Sequence, residues 1–438
     1  MSKKFFVATF GCRTNQADSA AIREDLLGQR AEETYDFREA DVIVVNTCTV
    51  THRSDQQVRQ MVRRLRRGNP AAQLLVTGCY AQRDPSVLAA IRGVDAVVGN
   101  TRKSQLVQLG EEKHVPGKPA RVLHDDFDKV RSIELEASTQ FGGRTRPFVK
   151  IQDGCDAKCT YCIIPSVRGP SRSVPPQQIL QHVRDLVALG FQEVVLTGIH
   201  IGTFGIHLRP RFPLWRLLEK MLEIPGLGQI RVSSIEPMEL SREVIKLAAG
   251  SDGKIAPHFH ICLQSGSDQT LRRMLRPYTA KRFASIVEEI HDRLPQAGIG
   301  TDIIVGFPGE TEQAHHESLE FVEMMPFTYL HVFPYSDRSG TRASAYPEKT
   351  HPNTIRRRSA EFRELSDRKQ TDFRRSFLGS TLRVISLDEH RDGGRECLTS
   401  NYLKALAPEG VPPNRLFDAR VVGETGENLL LETAYSKS

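Results

Sequence analysis

The sequence predicts an α/β protein made of three domains. Apolar runs alternate with helical stretches over about the first hundred residues, and a second alternating series begins at Phe148. The last sixty or so residues instead carry short strands separated by glycines. We therefore expect a doubly wound parallel sheet in residues 1–130, a linker at 131–146, a partial (β/α)6 barrel in 147–375 and a small β-barrel in 376–438.

The composition is typical of a globular protein, with 438 residues of which 39% are hydrophobic and 26% charged. No apolar run is long enough to predict a membrane span, and the N-terminus lacks a cleavage-site pattern. We expect a cytoplasmic protein without a membrane partner, whose eight cysteines stay reduced and available to metal. The net charge of +7 favours a polyanionic partner such as RNA, although many basic proteins bind no nucleic acid.

The strands of the first domain are short apolar runs, several of them rich in β-branched residues. The expected strands are Phe5–Phe10, Asp41–Thr47, Gln73–Thr77 and Val94–Gly99. The expected helices are Asp18–Gln29, Arg53–Arg67 and Pro85–Arg92. Continuous apolar strands that alternate with helices favour a parallel sheet covered on both faces.

Three of these strands are each followed by a cysteine, namely Cys12, Cys48 and Cys79. The carboxyl ends of parallel strands share one edge of the sheet, so the three thiols are expected to converge there. Buried core cysteines are the alternative, since free cysteine is commonly buried. Core cysteines have no reason to recur at one structural place, so we predict a 4Fe-4S cluster held by three thiolates.

A second set of cysteines, Cys155, Cys159 and Cys162, lies on one short loop after the first strand of the central domain. Three thiolates can hold three irons of a 4Fe-4S cluster and leave the fourth iron to a small molecule. A zinc knuckle or a disulfide loop is the alternative. Structural zinc takes four ligands, usually in two separated pairs, and no second pair follows at the expected distance, so we predict a cluster.

These motifs carry a resemblance to a known family. The CxxxCxxC pattern resembles the radical-SAM signature, and Gly11–Gln16, Asn46–Thr51 and Thr77–Gln82 are similar to the N-terminal domain of the methylthiotransferases. The resemblance covers nearly the whole chain. It implies two 4Fe-4S clusters, S-adenosylmethionine (SAM) bound to the first, sulfur handled by the second, and a C-terminal RNA-binding TRAM domain. Reductive cleavage of SAM to a 5′-deoxyadenosyl radical would be the chemistry of the cofactor.

Six strands are expected in the central domain, with active residues at their carboxyl ends. They are Phe148–Gln152, Glu193–Gly198, Ile230–Ile235, His258–Gln264, Ile299–Gly306 and Tyr329–Phe333. The resemblance implies SAM contacts for Thr197, Gly198, Ser234, Glu236, Gln264, Arg276 and Asp302. Arg276 is assigned to the SAM carboxylate because a guanidinium matches a planar anion. Each of the seven could instead be a polar group of the barrel wall.

Other candidate ligands lack partners in the sequence. Cys262 and Cys397 are isolated, so we exclude both from metal binding. His200, His258 and His260 have no clustered partners in the sequence and are interpreted as ordinary strand-end or barrel-wall histidines. The strands expected in the last domain are Thr381–Leu387, Glu396–Leu406, Leu416–Gly423 and Asn428–Glu432.

The substrate is predicted from the same resemblance. Gly11–Gln16 resembles the GCKxNQ form, and Arg168–Ser173 the RGPxRS form, of the enzymes that methylthiolate N6-threonylcarbamoyladenosine 37 of tRNA. The implied reaction removes hydrogen from C2 of the adenine, inserts sulfur and adds a methyl group from a second SAM. The implied partner is the tRNA anticodon stem-loop, while the electron and sulfur donors stay unidentified.

Two alternatives stay open from the sequence. A methylthiotransferase could act on isopentenyladenosine 37 or on a ribosomal-protein aspartate. A protein of another class, an iron–sulfur RNA-binding redox sensor, is disfavoured because a sensor does not need barrel-end motifs that bind SAM.

Overall fold

The computed structural model describes residues 2–127, 130, 132–133, 135, 137–139, 145–391 and 393–433. Half of the predicted linker at 131–146 lies outside these residues, so the domain limits stay predictions. Across the described ranges, no helix combines the length and the apolar character that crossing a membrane requires.

The first domain is a six-stranded parallel sheet in the order β2-β1-β3-β4-β5-β6. The strands are β1 Lys4–Thr9, β2 Glu32–Glu33, β3 Val42–Thr47, β4 Gln73–Gly78, β5 Ala96–Val98 and β6 Arg121–Leu123. The helices are α1 Arg13–Gly28, α2 His52–Gly68, α3 Cys79–Arg83, α4 Pro85–Ala89 and α5 Leu106–Gly110. The four predicted strands are confirmed. The strand order reverses between β1 and β3, which makes their carboxyl ends the switch point where ligands bind in such sheets.

The central domain forms six parallel strands in two sheets, β7-β10-β11 and β12-β13-β14, joined by a bridge between Ile235 and Ile261. All six predicted strands are confirmed. The strands, with a small β8-β9 pair, are β7 Phe148–Lys150, β8 Gln152–Asp153, β9 Arg172–Ser173, β10 Glu193–Thr197, β11 Gln229–Val232, β12 His258–His260, β13 Gly298–Val305 and β14 Tyr329–Pro334. The helices are α6 Ile164–Arg168, α7 Pro176–Ala188, α8 Leu214–Leu222, α9 Arg242–Gly250, α10 Asp268–Arg273, α11 Ala280–Arg293, α12 Glu312–Met324 and α13 Pro352–Arg375.

Helix α11 illustrates how the barrel is held together. Its buried side chains, Phe283, Ile286, Val287 and Ile290, recur at helical spacing and form one apolar face. Thr279 caps its first turn, because the Thr279 hydroxyl accepts a hydrogen bond from the next turn of backbone. Helices packed in this way fix the strands whose carboxyl ends carry the candidate site.

The last domain is a closed barrel of five strands in the order β15-β16-β17-β19-β18. They are β15 Thr381–Arg391, β16 Gly394–Thr399, β17 Lys404–Ala407, β18 Leu416–Thr425 and β19 Asn428–Glu432. The prediction of one strand over Glu396–Leu406 is wrong, because the chain reverses between β16 and β17. Tyr402 has a φ of +77° in this turn, and Leu403 N donates to the Thr399 hydroxyl over 2.7 Å. The turn lies against the central barrel, where Arg231 Nη1 donates to the Ser400 carbonyl over 2.9 Å.

Candidate metal centres

The loop between β8 and α6 carries Cys155, Cys159 and Cys162, which we call the loop trio. It starts at Gly154, whose φ is +76° and where a Cβ would lie 2.0 Å from the Pro170 carbonyl oxygen, so only glycine fits. Cys155 N donates to the Gly169 carbonyl over 3.0 Å, and Cys162 N to the Cys159 carbonyl over 3.1 Å. Backbone bonds therefore hold the three thiols on one short turn.

Hydrogen-bond donors surround the sulfur atoms of the loop trio. Cys155 Sγ lies 3.4 Å from Ala157 N and 3.3 Å from His200 Nδ1, and Arg276 Nη1 lies 3.1 Å from Cys159 Sγ. Burial raises the pKa of the Cys162 thiol to about 12. A thiol of this kind becomes a thiolate only beside a compensating positive charge, which a bound metal supplies.

Two of the predicted SAM-binding residues contact each other beside this loop. Arg276 Nη2 pairs with Glu236 Oε2, and Arg276 also donates to Tyr278 Oη over 2.8 Å. Burial raises the pKa of Glu236, and Arg276 counteracts this effect. The structure thus brings Glu236 and Arg276 to Cys159, with the guanidinium shared between carboxylate and sulfur.

Gln264 and Asp302 line a cavity of about 230 Å³ next to Cys162. Its apolar walls include Tyr161, and Val50 closes it from the first domain. Two predicted SAM-binding residues, one cysteine of the loop trio and the first domain therefore line one cavity.

The other three predicted SAM-binding residues, Thr197, Gly198 and Ser234, do not line this cavity. Thr197 is buried at the end of β10, and Gly198 packs so closely on Gln152 that a Cβ would lie 3.0 Å from the Gln152 carbonyl oxygen. Gln152 Nε2 in turn donates to the Gly154 carbonyl over 2.7 Å, so this pair supports the start of the loop. Ser234 is exposed beyond β11 and makes no side-chain hydrogen bond within the described ranges.

The second set, Cys12, Cys48 and Cys79, which we call the sheet trio, follows β1, β3 and β4. The strand ends are level, since Thr47 pairs with Gly78 and Thr9 with Asn46 in the parallel register. A Cβ at Gly11 would lie 2.8 Å from Cys48 Cβ, and both Cys12 and Cys48 interact electrostatically with Cys79. The predicted convergence of these residues at the sheet edge is therefore present.

The spacing of the sulfur atoms bears on the zinc alternative. In the described part of the chain, His260, Asp302 and His331 form the one group of three potential ligands whose atoms all lie within 4.8 Å of one another. Neither cysteine trio is that compact. Sulfurs around a tetrahedral zinc ion would lie about 3.8 Å apart, given a Zn–S distance near 2.3 Å. In each trio at least one pair of sulfur atoms is therefore too far apart for both to bind a single tetrahedral zinc ion.

The histidine prediction needs a correction. His260 does have clustered partners, because His260 Nε2 lies 2.9 Å and His331 Nδ1 lies 3.3 Å from Asp302 Oδ1. His200 contacts a cysteine of the loop trio. The sequence missed both arrangements because the partners come from different strands.

Arg168 is a site residue that sequence reasoning missed. It is fully buried, and its Nε lies 3.3 Å from Cys79 Sγ. Its other nitrogens donate to Asp153 over 3.0 Å and to Asp18 over 2.9 Å, and it also bonds Asn15. Arg168 therefore connects the sheet trio to the strand that delivers the loop trio. The RGPxRS motif marked this residue, but only as a feature of substrate class.

Asp18 forms the centre of this connection, and its replacement should destabilise the protein. Its side chain is fully buried and meets Arg168, Lys150 at 2.5 Å and Lys103. Burial alone would raise the pKa of Asp18, yet the three cations hold it well below its ordinary value. We expect Asp18→Asn to cost about 3–5 kcal/mol, as when one partner of a buried pair is removed. Chemical denaturation followed by the fluorescence of Trp215, the single tryptophan, measures this.

The loss of stability in Asp18→Asn should also depend on pH. A lowered pKa stabilises the folded state above the ordinary value near 3.9, and this contribution is lost as pH falls towards the folded value. The difference in free energy of unfolding between wild type and Asp18→Asn should therefore become smaller below about pH 4. Asp36→Asn, which removes an exposed carboxylate paired with Arg38, is the matched control and should change nothing measurable. An equal loss in both variants would contradict the role of Asp18.

Comparison with known proteins agrees with these features. Residues 4–99 match the model of an uncharacterized protein family, UPF0004, and residues 149–322 match the radical SAM superfamily. The chain is 39% identical over 396 residues to the threonylcarbamoyladenosine tRNA methylthiotransferase MtaB of Aquifex aeolicus, covering 90% of this chain and 94% of that protein. It is 37% identical over 404 residues to the protein of the same name from Bacillus subtilis, covering 91% and 89%.

A solved structure supports the fold. The radical S-adenosylmethionine methyltransferase TsrM from Kitasatospora setae aligns with a TM-score of 0.55 at 14% identity, over 76% of this chain and 75% of that one. At this identity the likeness shows the fold alone. The identity and coverage of the curated relatives go further, and the chain belongs to the family of radical-SAM tRNA methylthiotransferases.

Proposed function

We propose that this chain methylthiolates C2 of N6-threonylcarbamoyladenosine 37 in the anticodon stem-loop of tRNA. The observation that carries the proposal is that the segment after the sheet-trio Cys48 and the loop-trio Cys162 line one cavity. Val50 and Thr51, which follow Cys48, line the same cavity as Cys162 of the loop trio. Sulfur chemistry at one trio and SAM chemistry at the other can then act on a single nucleotide. The curated relatives named above carry this substrate in their names.

The loop trio is the proposed ligand set of the SAM-binding 4Fe-4S cluster. Three thiols on one turn with no fourth cysteine suit a cluster whose last iron takes SAM. Cys155, Cys159 and Cys162 would hold the cluster, which would supply the electron for reductive cleavage of SAM and so the radical chemistry needed at C2 of the adenine. Arg276 donates to Cys159 and holds Glu236, so the chain places a cation and a carboxylate beside the amino and carboxylate groups that SAM would present.

The sheet trio is the proposed ligand set of a second 4Fe-4S cluster, which would hold the sulfur to be inserted. The donors around it support this assignment. Arg168 and Asn100 both direct N–H groups at Cys79 Sγ, at 3.3 and 3.8 Å. Burial raises the pKa of Cys48 to about 12. Hydrogen bonds to sulfur and partial burial are how proteins tune such clusters.

The cavity beside the loop trio has mostly apolar walls. Tyr161, Ile304, Phe333 and Val50 supply apolar walls, and Gln264 and Asp302 supply polar groups. Few polar groups in an apolar cavity orient a ligand and protect a reactive radical from side reactions.

Basic surface on the first domain supports an RNA partner. Helix α2 exposes Arg63, Arg64 and Arg67, while its Val58 and Val62 face the core. Exposed arginines of this kind can neutralise phosphates of a stem-loop.

The proposed function is tested with anaerobically reconstituted protein and three stem-loops, bearing threonylcarbamoyladenosine, isopentenyladenosine or adenosine at position 37. Iron is counted, and products are measured by nucleoside mass spectrometry. We expect about eight irons per chain and methylthio product from the threonylcarbamoylated RNA alone. Product only from the isopentenyl RNA would contradict the substrate. Failure to cleave SAM at all would favour a redox sensor.

A further inference from the structure

Three arginines from distant parts of the chain meet around Tyr402. Arg13 follows Cys12 at the start of α1, Arg146 precedes β7, and Arg231 lies on β11. Arg13 Nη2 donates to Tyr402 Oη over 2.7 Å. The guanidinium carbons of Arg13 and Arg231 lie 5.6 and 5.4 Å from the centre of the Tyr402 ring. Arg13 and Arg231 both also act electrostatically on Arg146, so the three form one cluster.

The cluster carries more positive than negative charge. Glu193 lies 2.9 Å from Arg231 and 3.5 Å from Arg146, and it is the one carboxylate paired with these arginines in the described ranges. Burial lowers the pKa of Arg146, which Glu193 counteracts. Three guanidinium groups that share one carboxylate leave an excess of two positive charges in a partly desolvated place, which is costly until an anion binds.

The arginines differ in how many of their N–H groups donate hydrogen bonds to the protein. Arg231 is fully buried and donates to Glu193 and to the backbone carbonyls of Thr399 and Ser400, so its role is to hold the turn of the last domain. Arg13 is half-buried, and its bond to Tyr402 is the one hydrogen bond its side chain makes within the described part of the chain. A guanidinium has five donors, so Arg13 keeps most of them for a ligand.

A series of contacts connects Arg13 and Tyr402 to the cavity beside the loop trio. Tyr402 and His331 line a cavity of about 500 Å³ between the central barrel and the last domain. His331 Nδ1 lies 3.3 Å from Asp302, which lines the cavity beside the loop trio. Arg13 itself is adjacent in sequence to Cys12 of the sheet trio. A group that extends from an adenine held between the trios can therefore meet this arginine.

We propose that Arg13 binds the carboxylate of the threonylcarbamoyl group and thereby determines substrate specificity. This inference rests on the proposed function and deepens it. Adenosine and isopentenyladenosine lack this carboxylate. A guanidinium matches a carboxylate with two parallel N–H···O bonds, and Arg146 adds to the attractive field. A neutral substituent leaves the partly buried Arg13 without a counter-ion, so the site discriminates against it.

The test compares two stem-loops that differ in one group, the threonylcarbamoyl carboxylate and its carboxamide. The reconstituted proteins are wild type, Arg13→Gln, Arg13→Lys and Arg92→Gln, the last replacing an exposed arginine of the first domain. Nucleoside mass spectrometry gives kcat/KM for each pair. We expect wild type and the Arg92 variant to prefer the acid by about 10- to 100-fold, the range of a charged hydrogen bond. Arg13→Lys should keep part of this preference, and Arg13→Gln should lose it.

Each other outcome overturns the inference. If Arg13→Gln lowers kcat/KM equally for both RNAs and keeps the preference for the acid, Arg13 binds backbone phosphate or only supports Tyr402. If wild type uses acid and carboxamide equally, no residue recognises the carboxylate, and this comparison holds even where Arg13→Gln fails to fold. If wild type methylthiolates neither RNA while it cleaves SAM, the proposed function itself fails, which is a distinguishable result.

Discussion

Replacing Cys159 with alanine is expected to abolish formation of 5′-deoxyadenosine. Cys159 is the middle member of the loop trio, and its sulfur is the one that Arg276 contacts at 3.1 Å. Two thiolates cannot hold the three irons that leave a fourth free for SAM. The loss should exceed the roughly 10- to 100-fold that removal of an outer partner costs a metal site.

The measurement is 5′-deoxyadenosine released on reduction of the reconstituted protein with SAM, beside the iron content. Cys397→Ala is the matched control, because Cys397 packs in the core of the last domain, outside both trios. This control should keep its iron and cleave SAM. Cleavage by Cys159→Ala at the wild-type rate would show that the loop trio does not hold the SAM-binding cluster.

The cysteine positions were predictable because their geometry follows from topology. Parallel strands end at one edge, so Cys12, Cys48 and Cys79 had to meet once the sheet was recognised. The loop trio could be predicted without knowing the topology, because its three cysteines are close together in the sequence. The short strands β2 and β6 were missed because they have only two and three residues and lie at the sheet edges, where they are largely exposed.

The partners of these cysteines were not predictable in the same way. Arg168 reaches Cys79 across 89 positions of sequence, and Arg13 reaches Tyr402 across 389. No local pattern encodes such contacts, because they depend on how the domains pack. Glu236 and Arg276 show a related difficulty. Resemblance assigned both to SAM, while the structure pairs them with each other beside Cys159.

Replacing Cys48 with alanine is expected to separate the two halves of the reaction. Cys48 belongs to the sheet trio and, within the described part of the chain, makes no hydrogen bond with Cys155, Cys159 or Cys162, so the SAM-binding cluster should form normally. Iron should fall from about eight to about four per chain, and methylthio product should disappear. Formation of 5′-deoxyadenosine should continue, which shows in the same sample that the central barrel is intact.

Either of two results would contradict this expectation. Methylthiolated product from Cys48→Ala would mean that the sulfur does not come from the sheet trio. Loss of SAM cleavage together with product would mean that the sheet trio supports the fold of the barrel through Arg168, which connects Cys79 to Asp153. The separation is informative because the two trios lie on different domains, while Val50 and Thr51, which follow Cys48, line the same cavity as Cys162. A loss of about four irons and of the product, with radical formation retained, is the result that two independent clusters predict.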